Sequence, residues 1–163
     1  MQIFFFPEWL TIILFFVLWF CFQLGAGWFC FHKSDDFFMK DSFLYKIRKW
    51  ERDGLFYEQW FRIKKWKKYL PDGGGFFNGG YTKRHIVDFS VENLEQYLVE
   101  SRRAELTHWL GIFPFWIFGL FAPFHVVWIM LVYALVVNVP CIIAQRYNRP
   151  RIMKLLTKKK IRL

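Results

Sequence analysis

Two long stretches without a single charged residue constrain this chain more than any other feature. No Asp, Glu, Lys or Arg occurs in the 23 residues from Trp9 to Phe31, or in the 37 residues from Trp109 to Gln145. At about 1.5 Å per residue, the first run is long enough to cross about 30 Å of hydrocarbon with some tilt. The second is too long for one crossing and only just long enough for two, and Phe121-Ala122-Pro123-Phe124 is the natural place for it to bend. In a chain of 163 residues that is 55% hydrophobic and 23% aromatic, a water-soluble core could not absorb so much apolar surface. The expected fold is therefore all-α: an integral membrane helical protein with about three transmembrane or re-entrant helices plus interfacial amphipathic helices. One membrane domain covers residues 1–163, with a span at 9–31, a cytoplasmic interfacial segment at 32–108, a helical hairpin at 109–145 bent near 123, and a basic tail at 146–163.

Charge gives the orientation. The segment 32–108 carries 15 Lys and Arg, and the stretch from Arg146 onward carries eight with no acid, so both are expected in the cytoplasm with the N-terminus outside a cell membrane crossed several times. That needs an even number of crossings between them, which a hairpin supplies. A re-entrant hairpin satisfies the same rule, and the short first arm, Trp109 to Phe121 with Pro114 inside it, leaves both forms open. Met1 to Phe6 has no Lys or Arg, so the first run reads as a retained span serving as an anchor rather than a cleaved signal.

The net charge of +10 sits in segments interleaved with Trp and Phe beside the spans, which points to anionic lipid headgroups and away from nucleic acid. Leu55, Phe56, Trp60, Ile63, Trp66 and Leu70 recur at helical spacing, with Arg62, Lys64, Lys65, Lys67 and Lys68 covering the rest, the pattern of an in-plane amphipathic helix. Phe43, Ile47 and Trp50 look like a shorter version before Gly54. Pro71 to Gly75 and Asn78-Gly79-Gly80 form a turn-rich connector that lacks the Gly-Lys-Ser/Thr ending of a phosphate loop. A new helix starts after Ser90, placed as its cap, with Glu92 and Glu95 in the first turn.

On that helix Leu94, Leu98, Ser101, Glu105, His108 and Ile112 share one face. Glu105 can hold the His108 ring so that one nitrogen stays free as a base, and the pair reads equally as a hydrogen-bonded tie at the headgroup layer. Glu-x-x-His is also half of a di-iron ligand set, but only His32, His85 and His125 remain to complete one, and no metal site is expected. Cys21, Cys30 and Cys141 have no ligand spacing and sit in or at the end of apolar segments, as structural thiols do. On the last span Asn138, Ile142 and Gln145 share a face, followed by Arg149, with Pro140 removing a backbone donor nearby. Asn138 either bridges helices or marks a substrate path. Arg146, Arg149 and Arg151 place guanidinium groups at the cytoplasmic mouth, where they suit phosphates of lipid or coenzyme. No Gly-x-Ser-x-Gly elbow is present, and the spacing of His85 and Asp88 is not that of the soluble-face glycerolipid acyltransferases.

Three stretches carry a resemblance: Arg103-Ala104-Glu105-Leu106-Thr107-His108-Trp109, Asn138-Val139-Pro140, and Gln145-Arg146-Tyr147-Asn148-Arg149-Pro150-Arg151. Together with Arg84-His85 and the region Trp60 to Lys68, roughly the C-terminal two-thirds of the chain resembles the glycosyl-4,4'-diaponeurosporenoate acyltransferases, small membrane enzymes of staphyloxanthin-type carotenoid synthesis. The resemblance implies an O-acyltransferase that moves a fatty acyl chain onto a sugar hydroxyl of a glycosylated carotenoid or similar glycolipid. It needs no bound cofactor and uses an acyl thioester, acyl-CoA by expectation, as co-substrate. Within that frame His108, oriented by Glu105, is the expected base, with His85 as a second candidate and Asn138 as oxyanion donor. Arg84, Arg103, Gln145, Arg146, Asn148 and Arg149 are the expected substrate-binding residues. The competing class is a non-enzymatic membrane assembly or interaction subunit in which the same polar residues pack helices.

Overall fold

A computed structural model describes residues 2–40, 42–70 and 89–161. The connector at residues 71–80, and with it Arg84, His85 and Asp88, lies outside the described residues. Those described form α-helices joined by short 3-10 stretches, with no strand among them. The helices are α1 (Glu8–Phe31), α2 (Asp35–Met39), α3 (Leu55–Phe61), α4 (Ile63–Trp66), α5 (Val91–Ile112) and α6 (Phe124–Ile161).

Two of these, α1 and α6, are long and apolar enough to cross a membrane. Within their most apolar windows only 11% and 22% of residues are buried, which is the reverse of a soluble core helix. The side chains left outside, among them Phe16 and Phe20 on α1 and Ile129, Val132 and Val136 on α6, form the apolar outer wall that lipid requires.

The third element between them is a composite. Ser90 caps α5, its Oγ accepting from the Asn93 N–H at 3.2 Å, and α5 runs to Ile112. Pro114 then stands at the start of a 3-10 helix, Phe113–Leu120, because it brings no N–H to continue the α-helical ladder. Eight residues in 3-10 form reach about 16 Å, against about 12 Å as α-helix. The stretch from His108 to Leu120 therefore spans about 22 Å, close to the rise from Phe124 to Asn138 on α6. The chain turns through Phe121, Ala122 and Pro123. The segment preceding α1 closes this end: the Ile3 and Phe4 amides both donate to the Leu120 carbonyl, at 2.7 and 2.9 Å. In an apolar layer that carbonyl needs such a partner.

At the turn end the core is aromatic. Phe118, fully buried, packs against Phe15, Trp19 and Phe22 of α1, with ring centroids 5.6, 5.1 and 6.1 Å away. At about 57 Å, α6 is longer than any bilayer core, and its second half is a post for the surface segments. Leu94 and Tyr97 of α5 pack there with Ile152, while Tyr57 and Ile63 pack with Ala144 and Tyr147.

This packing revises the expected in-plane helix. Arg62 adopts φ +48° and ends α3 after seven residues, so Leu55 to Leu70 is not one continuous helix. The break turns Ile63 and Tyr57 onto α6, fully buried or nearly so, and leaves Leu55, Trp60 and Phe61 outward. The shorter version before Gly54 is also absent as a helix: residues 46–48 are irregular and Lys49–Gly54 is 3-10. Gly54 is required there, at φ +88°, because a Cβ would lie 2.8 Å from the Tyr147 carbonyl oxygen on α6.

Candidate active site

Polar side chains gather between α1, α5 and α6 in two layers. The outermost charges belong to α2 and α5, where Arg103 donates to Asp35 and to Glu100, both at 2.5 Å, and to the Lys33 carbonyl. Closer to the membrane, Glu105 of α5 is completely buried and each of its oxygens takes one guanidinium of α6. Oε1 accepts from Arg146 at 2.6 Å and Oε2 from Arg149 at 2.5 Å. Arg146 continues to Glu51 Oε1 at 2.6 Å and to the Leu44 and Lys46 carbonyls. Arg149, only 1% exposed, also donates to the carbonyls of Tyr45 and Ser101. Two carboxylates and two guanidinium groups thus cancel in a closed network, the arrangement under which buried charges are tolerated. Tyr57 joins it by donating its hydroxyl to Glu51 at 2.7 Å. Burial first, and the Glu51 carboxylate second, hold this phenol well above its usual pKa, so it remains a donor.

One turn further along α5 toward Ile112, charge gives way to neutral polar groups. His108 Nδ1 lies 2.9 Å from Asn138 Oδ1, and Gln23 Nε2 of α1 donates to the same oxygen at 3.1 Å. Asn138 is 1% exposed, and its amide nitrogen donates to the Ala134 carbonyl at 3.0 Å, one turn back on α6. That last bond fixes which end of the amide is oxygen, because a flipped amide would set two oxygens against each other. With Oδ1 an acceptor, His108 Nδ1 must carry a proton. In the neutral imidazole the lone pair is then on Nε2, the state a general base needs.

The expected pairings are thereby redrawn. Glu105 does not orient His108, because both its oxygens are taken by arginines that need them more in a buried setting; Asn138 does so instead. Asn138 accepts from two donors at Oδ1 and gives one of its two N–H donors to Ala134, which makes it an orienting group for His108. Arg103, Arg146 and Arg149 are engaged with carboxylates and carbonyls inside the fold and tie its elements together. Asn148 accepts from Lys67 Nζ at 3.0 Å and links α6 to the residues after α4. Gln145 differs from these, since its buried Oε1 has no hydrogen-bond partner and lies about 10 Å along α6 from Asn138 on the same face. No group of three or more His, Cys, Asp or Glu placed to hold a metal occurs among the described residues. The three cysteines form no disulfide among the described residues, Cys30 and Cys141 being buried and Cys21 exposed.

Sequence reasoning missed Gln23, Glu51 and Tyr57. Gln23 had a readable signal: it is the one amide in the first charge-free run, and such a group in hydrocarbon needs a partner. Glu51 and Tyr57 had none, lying in a segment rich in charge and aromatic rings.

Comparison with known proteins places these residues in context. The family model described as glycosyl-4,4'-diaponeurosporenoate acyltransferase matches residues 41–158. Proteins bearing that name from Staphylococcus aureus strains MRSA252, USA300 and NCTC 8325 / PS 47 are each 38% identical over 122 residues, covering 75% of this chain and 73% of theirs. No solved structure matches.

Proposed function

The chain belongs to the glycosyl-4,4'-diaponeurosporenoate acyltransferase family, and from that premise we propose that it esterifies a sugar hydroxyl of a glycosylated carotenoid with a fatty acyl chain, using His108 as general base. The observation that carries the base assignment is the 2.9 Å bond from His108 Nδ1 to an Asn138 oxygen whose orientation is fixed by Ala134.

In this reading Nε2 takes the proton of the sugar hydroxyl as its oxygen attacks the carbonyl carbon of an acyl thioester, acyl-CoA being the natural donor. The tetrahedral intermediate collapses with cleavage of the C–S bond, and the imidazolium returns the proton to the departing thiolate. Positive charge passes only briefly through the ring, and the Asn138 oxygen on Nδ1 stabilises it without ever ionising. The acyl and carotenoid chains lie along the apolar faces of α1 and α6. Gln145, with its unpaired oxygen at the cytoplasmic side of Asn138, accepts a hydroxyl of the sugar. Arg84 is assigned to substrate binding and His85 stands as the second candidate base. The exposed Lys64, Lys65 and Lys68, next to exposed Trp60 and Tyr69, meet anionic headgroups at the cytoplasmic leaflet.

Introduced into cells that make the glycosylated carotenoid but no acyltransferase for it, the gene is expected to convert that pigment to species heavier by one fatty acyl group. Mass spectrometry of extracted lipids reads this directly, and an unchanged glycolipid profile with the protein present in the membrane would refute the activity.

The same reading sets three passes, N-terminus outside. A phosphatase that works only outside the cytoplasm should be active when fused ahead of Gln2 and inactive when fused after Leu163. Activity at both ends would leave an even number of crossings and refute this topology.

A further inference from the structure

The first span has a part in the chemistry that its position in the sequence does not advertise. It lies wholly outside the residues matched by the family model, 41–158, and by composition it is an apolar anchor. Yet Gln23 reaches across to donate to Asn138 Oδ1 at 3.1 Å, the same oxygen that receives His108 Nδ1. Room for this is made by Gly111 on α5, where a Cβ would sit 2.6 Å from Gln23 Nε2 and 2.8 Å from Oε1. Any side chain at 111 would push the amide aside. Three helices therefore converge on one oxygen, with a notch in the third that accommodates the donor from the first.

Resting on the reading of His108 as base, we propose that Gln23 is a positioning residue of the acyl-transfer site, which makes α1 a component of the active site. Asn138 is held at its nitrogen end by the Ala134 carbonyl, a bond within its own helix. Gln23 holds the oxygen end from a different helix. An amide tied at both ends cannot swing about its side-chain torsion, so the direction in which Oδ1 receives the imidazole is fixed. The direction of Nε2 on the far side of the ring is fixed with it. Displacement of a base by a fraction of an ångström costs rate and not substrate affinity, because substrate binding does not use the Nδ1 side of the ring.

The test uses the full chain in membranes, with acyl-CoA and the glycosylated carotenoid as substrates. Gln23→Met keeps the length and apolar fit but has no donor, and kcat should fall on the order of tenfold with KM unchanged. Gly111→Ala retains the Gln23 amide but fills its notch and displaces it, and it should lower kcat in the same way. Gln23→Glu can donate only as the protonated acid, so its activity should decline as pH rises in a range where the wild type does not. A helix-packing role alone would move thermal stability and leave kcat and this pH profile untouched.

Wild-type kcat for Gln23→Met, alongside an inactive His108→Ala, would overturn the proposal while leaving the base assignment standing. An active His108→Ala would overturn both. If Gln23→Met fails to accumulate, the kcat of Gly111→Ala and the pH profile of Gln23→Glu decide the question in either direction.

Discussion

Glu105→Ala is expected to prevent accumulation of folded protein, or to lower its thermal unfolding temperature in detergent more than any other single substitution at the site. The carboxylate has no exposure, and each oxygen neutralises a different guanidinium. Its removal leaves Arg149, itself 1% exposed, with only the Tyr45 and Ser101 carbonyls, and leaves Arg146 with Glu51 and the Leu44 and Lys46 carbonyls. Breaking a buried ion pair by deleting one partner costs about 3–5 kcal/mol, because the other charge stays desolvated and unpaired. Here one guanidinium, that of Arg149, loses its counter-charge while Arg146 keeps Glu51, against a total stability on the order of 5–15 kcal/mol for a domain. Glu105→Gln should be milder, since the amide oxygen still accepts one of the two bonds. An unfolding temperature for Glu105→Ala equal to wild type would show that the network contributes nothing to stability. One consequence is methodological: loss of activity in this variant cannot be credited to catalysis.

The same network explains how far the sequence could be read. The apolar runs are legible because a bilayer imposes a length and forbids charge, and both demands are local. The start of α5 is legible for a similar reason: Ser90 caps a helix whose first acidic residue, Glu92, follows at once, and the amide it caps, that of Asn93, lies within a turn. Arg146 and Arg149 were a different matter. A guanidinium serves a phosphate and a carboxylate with the same geometry, and the carboxylates that claim it lie 41 and 95 residues away, at Glu105 and Glu51. Local spacing puts Glu105 beside His108, but an acid in a buried setting goes to the strongest available counter-charge, and those are supplied from another helix. The middle segment was misread by the same logic. Helical periodicity from Leu55 to Leu70 is real, but Arg62 breaks the helix in a left-handed conformation, and the gain is burial of Ile63 and Tyr57 on α6. That gain comes from tertiary packing, which no window of residues contains.

His108→Ala separates catalysis from this scaffold, and it carries the second large expected effect. The imidazole is part of the neutral layer, so no charge is orphaned by its removal. Asn138 Oδ1 still receives Gln23, and its nitrogen still donates to Ala134, so the buried amide keeps a partner at each end. The unfolding temperature should therefore stay near that of the wild type while kcat falls by about 10²- to 10⁴-fold, the usual contribution of a positioned proton-transfer group. His108→Gln sharpens the comparison, because a glutamine can donate to the Asn138 oxygen but cannot accept a proton at neutral pH. If it restores packing without restoring turnover, the ring is needed for its basicity. Purified protein assayed with an acyl thioester and the glycosylated carotenoid gives both numbers from one preparation. Turnover by either variant within threefold of wild type would assign the proton transfer to another group, and His85 would then be the next residue to replace.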